Sequence, residues 1–288
     1  MMGENGTQGA AAAGTRVLGD LEVRRIGFGA MRITGSGIWG EPASAEGARR
    51  VLRRAVELGV NLIDTADSYG PEVSERLIAE ALHPYPDDLV IATKGGFTRP
   101  APGAWRADGR PEHLRRACED SLRRLRLDRI DLYQLHTVDP GVPLAESLGV
   151  LAELEGEGKI RHVGLSNVDV DQLGSAREVV PVVSVQNRYS IAERDGEPVV
   201  ETCEREGLAF LSYFPLVAGW VTENSGRWQR IARAKGASVA QVALAWLLHH
   251  SPAIVPIPGT SSVQHLEENV AAAQLELSDE ELRTLAAA

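Results

Sequence analysis

The chain has 288 residues, of which 43% are hydrophobic and 24% are charged, and its formal net charge is −10. This length is enough to bury a large core, and barrels of this size are often single domains. The negative charge is spread along the chain, which argues against a nucleic-acid-binding protein. No run of about 18 apolar residues occurs, so we expect no membrane-spanning helix.

The first 14 residues are small and polar, and they lack the basic and apolar regions of a secretion signal. We therefore expect a disordered tail over residues 1–14 and a single domain over residues 15–288. Cys118 and Cys203 have neither a metal-ligand spacing nor a nearby partner. We expect two buried thiols in a reducing cytoplasm and no metal site.

After the tail, the sequence predicts a β-hairpin over residues 15–23 and then a regular alternation of strands and helices. Eight apolar runs are predicted as strands, over residues 26–31, 61–64, 89–94, 130–136, 160–166, 182–186, 208–214 and 253–259. Amphipathic segments follow them, two of them after strand seven, and predict helices over residues 44–59, 72–82, 111–125, 143–157, 170–177, 198–206, 226–235, 238–250 and 261–273. A final short helix is predicted over residues 277–286.

Eight strand–helix units predict a (β/α)8 TIM barrel preceded by a β-hairpin. Segments such as LVIAT and AIVPI are apolar on both faces, as strands of a covered parallel sheet must be. An open doubly wound sheet is the alternative. Its dinucleotide fingerprint is missing, because strand one carries only Gly27 and Gly29 and no third glycine at the required place.

Four polar residues with complementary chemistry follow neighbouring predicted strands. Asp64, Lys94 and His136 end strands two, three and four, and Tyr69 lies in the loop after strand two. Barrel active sites form at the carboxyl ends of the strands, so a carboxylate, a phenol, an ammonium and an imidazole are expected to meet there. This set is sufficient for proton-coupled reduction of a carbonyl group.

Each member of this set has an expected role. We expect the Lys94 ammonium to lower the pKa of the Tyr69 phenol, Asp64 to hold the lysine, and His136 to orient the carbonyl. Lys94 is one of only three lysines among the 30 basic residues of the chain, so it is not this protein's default surface cation. The alternative is a buried Lys94–Asp64 salt bridge with a purely structural role.

Residues that suit a dinucleotide cofactor follow later strands. Ser166, Asn167 and Gln186 offer hydrogen bonds to a carboxamide, and Tyr213 can stack on a flat ring. The segment IPGTSS precedes a helix, whose N-terminal N–H groups form a natural phosphate site.

These segments together resemble the aldo-keto reductase superfamily over nearly the whole chain: NLIDTADSYG, ATKGG, LYQLH, IRHVGLSN, VSVQNRYS, YFPL and IPGTSSVQHLEEN. The resemblance implies reversible NADP(H)-linked reduction of an aldehyde or ketone, with Tyr69 as the general acid tuned by Lys94 and Asp64. It assigns to cofactor binding Gly29, Met31, Asp64, Ser166, Asn167, Gln186, Tyr213, Pro215, Leu216, Gly259, Thr260, Ser261, His265, Glu268 and Asn269.

The chain departs from the family pattern at two points. Gly259 and His265 stand where relatives often carry the Lys and Arg that hold the 2′-phosphate, so NAD(H) remains an alternative to NADP(H). The long C-terminal loop that closes the pocket in many members is also missing. Apolar residues that can form the walls of the substrate pocket instead are Met31, Trp39, Trp105 and Trp220.

The ending IPGTSSVQHLEEN and the segment WGEP are more similar to the bacterial branch that includes pyridoxal reductases than to aldose reductases. Pyridoxal is therefore a candidate among small carbonyl substrates. The alternative function is an NADPH-binding regulatory subunit, because potassium-channel β subunits share the fold and fold alone does not fix function. The intact set of four polar residues favours the enzyme.

Overall fold

The computed structural model describes residues 9–216 and 225–287. Its centre is an eight-stranded parallel sheet. The strands are β3 (Phe28–Gly29), β4 (Leu62–Asp64), β5 (Val90–Gly95), β8 (Ile130–Leu135), β9 (Ile160–Ser166), β10 (Val182–Arg188), β11 (Ala209–Tyr213) and β12 (Ile254–Pro256). Their order in the sheet is β12-β11-β10-β9-β8-β5-β4-β3.

The first and last strands are joined by backbone hydrogen bonds that close the sheet into a barrel. The N–H of Gly27 donates to the carbonyl of Pro256 at 3.0 Å, and that of Gly29 donates to Pro258 at 3.4 Å. A Cβ at Gly29 would lie 2.7 Å from the carbonyl oxygen of Ile257, so the two backbones approach too closely for a side chain. The predicted (β/α)8 barrel is confirmed, and the doubly wound alternative is wrong.

The predicted hairpin is present and closes one end of the barrel. It consists of β1 (Thr15–Leu18) and β2 (Leu21–Arg24), paired antiparallel. Leu18, Leu21 and Val23 are buried against apolar residues that line the barrel interior. Those interior residues are Leu62, Val90, Ala92, Leu132, Ala209, Leu211, Val255 and Ile257.

Side chains alternate between the two faces of a strand, so every second residue points into the barrel. Along β5 the inward series runs Val90, Ala92, Lys94, and along β8 it runs Leu132, Gln134. The series is apolar near the hairpin and becomes polar at the carboxyl ends. This change of polarity along the barrel axis places the polar groups at the open end.

The helices surround the barrel and largely follow the predicted segments. They are α1 (Ala45–Glu57), α2 (Val73–Leu82), α3 (Pro111–Leu125), α4 (Leu144–Gly156), α5 (Val170–Arg177), α6 (Glu197–Glu206), α7 (Ser225–Lys235), α8 (Val239–His250), α9 (Val263–Ala271) and α10 (Asp279–Ala286). Ser44 caps α1 by accepting from the N–H of Gly47 at 2.9 Å, as a serine at this position favours. None of the helices in the described part of the chain has the length and hydrophobicity that a membrane span requires.

Three local predictions need correction. Part of the predicted tail is ordered: Ala10–Ala13 form a 3₁₀ turn, because the N–H of buried Ala10 bonds to the carbonyl of Leu58 at 2.9 Å. Strand one is shorter than predicted, because a 3₁₀ helix over Ala30–Ile33 ends it. The loop after β5 contains a small antiparallel pair that was not predicted, β6 (Phe97–Thr98) with β7 (Arg106–Ala107).

Candidate active site

A buried ionic cluster lies at the carboxyl ends of β4 and β5. The Lys94 ammonium lies 2.9 and 2.7 Å from the two carboxylate oxygens of Asp64 and 2.8 Å from the carbonyl oxygen of Thr65. Lys94 is fully buried and Asp64 is 2% exposed. Burying either charge alone would be costly, so the pairing is what makes this arrangement stable.

Two glutamine side chains complete the hydrogen bonding of Asp64. Nε2 of Gln134 donates to Oδ1 of Asp64 at 3.1 Å, and Nε2 of Gln186 donates to the same oxygen at 2.7 Å. Gln134 was not predicted as a site residue. Its signal in the sequence is its place two residues before His136, on the same face of the strand.

Tyr69 lies above this cluster, with its phenolic oxygen 3.5 Å from Nζ of Lys94. The tyrosine is 7% exposed. Burial raises the pKa of the Tyr69 phenol well above 10, and the negative charge of Asp64 adds to this effect. The expectation that this pKa is lowered is therefore wrong, because burial favours the neutral phenol.

His136 packs edge-on against Tyr69, with the ring centroids 5.8 Å apart. Burial lowers the pKa of the His136 imidazole well below 6.5, and the Lys94 charge contributes to the shift. Its Nδ1 lies 3.4 Å from Oγ of Ser68. The imidazole is therefore neutral at pH 7, and a neutral ring has one nitrogen that donates and one that accepts.

The four predicted catalytic residues therefore meet in one place, three of them lining a single cavity of about 670 Å³. The cavity extends from Tyr69 and His136 to the segment after β12. Its described lining is Gly29, Met31, Arg32, Ile38, Asp64, Tyr69, Phe97, Trp105, His136, Thr137, Ser166, Asn167, Gln186, Tyr213, Phe214, Pro215, Leu216, Ile257, Pro258 and Gly259.

Ser166, Asn167 and Tyr213 form a hydrogen-bonded row along one side of the cavity. The Tyr213 hydroxyl donates to Oδ1 of Asn167 at 2.6 Å, and Nδ2 of Asn167 donates to Oγ of Ser166 at 3.0 Å. Asn167 has φ +58°, a conformation that asparagine tolerates better than most residues. Among the described residues, Ser166 Oγ donates to no partner, so its proton is available to a ligand.

The residues predicted to bind the part of the cofactor that is remote from the nicotinamide lie around the start of α9. They are beyond the described cavity lining. Thr260 is buried, and its Oγ1 accepts from the N–H of Ser262 at 3.0 Å. Ser261 and His265 are exposed, whereas Asn269 is buried and Glu268 is half-buried. Gly259 joins the two regions, because it lines the cavity and directly precedes Thr260.

The predicted substrate wall is only partly assembled as expected. Met31 and Trp105 line the cavity, and Trp220 lies outside the described residues. Trp39 does not line the cavity; its ring packs 5.4 Å from the guanidinium carbon of Arg99. The sequence did not predict Ile38, Phe97 or Thr137 as lining residues, because they lie in segments after barrel strands whose path the strand–helix pattern does not specify.

The described residues contain no group of three or more His, Cys, Asp or Glu side chains that could hold a metal ion. The side chains that the structure brings together are a phenol, an imidazole, a carboxylate and a buried ammonium, beside a large cavity. Comparison with known proteins identifies the family of the chain. The profile of the Aldo/keto reductase family matches residues 25–288.

This chain belongs to the aldo/keto reductase family.

Curated relatives and solved structures agree. The chain is 49% identical over 271 residues to an uncharacterized oxidoreductase of Schizosaccharomyces pombe, covering 94% of this chain and 88% of the relative. It is 44% identical over 280 residues to pyridoxine 4-dehydrogenase of Escherichia coli, covering 95% of this chain and 98% of that enzyme.

Two solved structures show the same barrel. A thermostable aldo-keto reductase in complex with the inhibitor epalrestat superposes with a TM-score of 0.83 at 33% identity, covering 95% of this chain and 98% of the other. An aldo-keto reductase of Klebsiella pneumoniae in complex with NADPH superposes with a TM-score of 0.77 at 28% identity, covering 99% of this chain and 94% of the other.

Proposed function

We propose that this aldo/keto reductase catalyses reversible NADP(H)-dependent reduction of an aldehyde or ketone, with a planar aromatic aldehyde of the pyridoxal type as its substrate. The observation that carries the proposal is the position of the Tyr69 hydroxyl. It lies 3.5 Å from a buried ammonium, on the wall of a cavity large enough for a ring and a cofactor head group.

The residues present fit a nicotinamide cofactor. The Ser166 hydroxyl can donate to the carboxamide, and the hydrogen-bonded Asn167 and Tyr213 give that side of the cavity a fixed shape. Phosphate groups would meet the N–H groups near Thr260 and Ser261 at the start of α9. The chemistry that a bound nicotinamide supplies is hydride transfer to the carbonyl carbon. Among related proteins, the Klebsiella pneumoniae reductase was solved with NADPH.

The proton in this proposal comes from Tyr69. Because burial raises the pKa of the phenol, Tyr69 is protonated at neutral pH and can donate its hydrogen to the carbonyl oxygen as negative charge develops there. The phenolate left behind would lie beside the Lys94 ammonium, which stabilises it. Asp64 holds that ammonium in place through both carboxylate oxygens.

His136 acts on the carbonyl by hydrogen bonding and not by charge. The low pKa of the imidazole keeps it neutral, so it adds no charge that would compete with Lys94. A neutral N–H directed at the carbonyl oxygen fixes the substrate relative to Tyr69. We assign His136 the orienting role on this basis.

The aromatic walls support a planar substrate. Trp105 and Phe97 meet edge-on with ring centroids 5.4 Å apart, and Trp105 lies 6.5 Å from Tyr69. Aromatic walls in this arrangement favour flat rings. The relative at 44% identity is pyridoxine 4-dehydrogenase, which supports pyridoxal as the first substrate to test. Cys118 and Cys203 are free buried thiols, consistent with the cytoplasmic location that we propose.

The proposal is tested with purified protein, NADPH and NADH, and a panel of carbonyl compounds that includes pyridoxal, benzaldehyde and short aliphatic aldehydes. We expect turnover with NADPH and a higher kcat/KM for pyridoxal than for the aliphatic aldehydes. Tight NADPH binding by fluorescence titration without turnover of any aldehyde would instead support the regulatory-subunit alternative. Turnover that does not favour aromatic aldehydes would contradict the substrate assignment alone.

A further inference from the structure

Arg99 holds together three loops at the open end of the barrel. Its Nη1 donates to the carbonyl oxygens of Ile38 at 3.1 Å and Ser68 at 2.9 Å, and its Nε donates to that of Ala104 at 3.0 Å. These three acceptors lie in the loops that follow barrel strands β3, β4 and β5. The rigid fork of a guanidinium can bind several carbonyls at fixed angles, which a lysine ammonium cannot reproduce.

The same guanidinium lies between two tryptophan rings. Its central carbon is 3.8 Å from the ring centroid of Trp105 and 5.4 Å from that of Trp39. Trp105 is 38% exposed and meets Tyr69, Phe97 and His136 edge-on, whereas Arg99 lies over the face of its ring. The cation–π contact with Arg99 therefore fixes the orientation of a ring that lines the cavity.

The backbone conformation of Ile38 is a second indication that surrounding contacts fix this side of the cavity. Its φ is +58°, a left-handed conformation that is an outlier for a β-branched residue. Such strain persists only where surrounding contacts impose it, and it concentrates at functional sites. The carbonyl of Ile38 accepts from Arg99, and its side chain lines the cavity.

We propose that Arg99 is a positioning residue that assembles the substrate side of the cavity, and that it sets carbonyl affinity by holding Trp105 and Ile38 in place. The proposal rests on the proposed carbonyl reductase function. Arg99 is not part of the described lining of this cavity, so it acts through the residues that it holds. The cofactor side, formed by Ser166, Asn167 and Tyr213, makes no hydrogen bond with Arg99 among the described contacts.

The test compares Arg99→Lys, which keeps the charge but loses the fork and the flat stacking surface, with Arg110→Lys as the matched control. Arg110 is an exposed arginine on the same side of the barrel, paired with Asp108. For Arg99→Lys we expect KM for the carbonyl to rise at least about tenfold, while kcat and the NADPH Kd stay within about threefold of wild type. Arg110→Lys is expected to leave all three unchanged.

A second readout does not depend on activity. Acrylamide should quench more of the tryptophan fluorescence in Arg99→Lys than in the wild type, and this increase should disappear when Trp39 and Trp105 are both replaced by Phe. If Arg99→Lys does not fold, Trp105→Leu replaces it, because this exposed ring can be removed without disturbing the core. Trp105→Leu is expected to raise KM in the same direction.

A wild-type KM in either variant, or unchanged quenching in Arg99→Lys, would overturn the positioning role. The two proposals fail in different ways. If the wild-type protein reduces no carbonyl compound, the proposed function fails, whereas the quenching experiment still decides whether Arg99 holds the tryptophan rings.

Discussion

Lys94 contacts both carboxylate oxygens of Asp64, at 2.9 and 2.7 Å, in a part of the barrel where neither side chain is more than 3% exposed. This pairing fixes the ammonium beneath the Tyr69 hydroxyl. A flexible surface lysine would have to be ordered for each catalytic cycle, whereas this one is already in position. The first two predictions follow from this arrangement.

Tyr69→Phe should lose most of kcat, by about a hundredfold or more, because general acid catalysis typically contributes a factor of about 10² to 10⁴. The NADPH Kd should stay near the wild-type value. Steady-state kinetics measures kcat, and fluorescence titration measures the NADPH Kd. The matched control is Tyr133→Phe, because Tyr133 is a second buried tyrosine and its hydroxyl has no hydrogen-bond partner among the described residues. Retained turnover in Tyr69→Phe would rule out Tyr69 as the acid.

Lys94→Met should lower the free energy of unfolding by about 3–5 kcal/mol, because it leaves the Asp64 carboxylate buried without its cation. The double variant with Asp64→Asn should recover part of this loss, because the unpaired charge is then removed. Urea denaturation gives both values.

The control for this prediction is Lys159→Met. Lys159 is a partly exposed lysine that bonds to Glu119 and Glu157 at 2.7 and 2.8 Å. Its removal should cost no more than about 1 kcal/mol, as is typical of surface ion pairs. If the two lysine variants lose the same free energy of unfolding, breaking the buried pair costs no more than breaking a surface ion pair.

His265→Arg should increase the preference for NADPH over NADH. His265 is exposed near the start of α9, where we propose that the 2′-phosphate lies, and arginine can bind phosphate through two parallel hydrogen bonds. We expect the ratio of the two Kd values to change by about tenfold, measured by fluorescence titration. His249→Arg, at the exposed end of α8, is the control. An unchanged ratio in His265→Arg would show that this residue does not face the phosphate.

Asp67 gives a prediction about pH. Burial raises the pKa of its carboxyl from 3.8 to about 8, and the nearby Glu75 carboxylate adds to the shift. The folded protein therefore binds this proton over a pH range in which the unfolded chain has lost it. The stability that this group contributes is present below pH 4 and is lost as the pH rises through about 8.

Asp67→Asn removes this dependence, because the amide does not ionise. At pH 8 the variant should therefore have a higher Tm than the wild type, and at pH 4 the two should be equal. Thermal unfolding at four or five pH values between 4 and 9 measures the difference. A Tm difference that is constant across this range would contradict the raised pKa.

The strand–helix pattern predicted the catalytic side of the site because strand periodicity decides which residues point inward. Asp64 and Lys94 end apolar strands, and parallel strands bring their carboxyl ends together, so their meeting follows from the barrel alone. The same periodicity places Gln134 on the face of the strand that carries His136, so its position in the site could also have been predicted. Ser166 and Asn167 were likewise correctly predicted to lie on the cavity.

The loops and the electrostatics did not follow from the pattern. Arg99 binds a carbonyl in its own loop and carbonyls in two loops that are 31 and 61 residues away in sequence, and no periodicity relates them. Trp39 was predicted as a wall of the pocket, but it stacks on that arginine instead. The pKa of Tyr69 was predicted in the wrong direction, because the sequence shows the neighbouring ammonium but not the degree of burial that outweighs it.

The N-terminal hairpin has a consequence for the order of events at the opposite end. Because Leu18, Leu21 and Val23 seal the bottom of the barrel, both reactants have to arrive and depart through one mouth. Where one reactant lies across that mouth above the other, the deeper one has to enter first and leave last. The plug can thus set the sequence of arrival in a turnover in which it takes no chemical part.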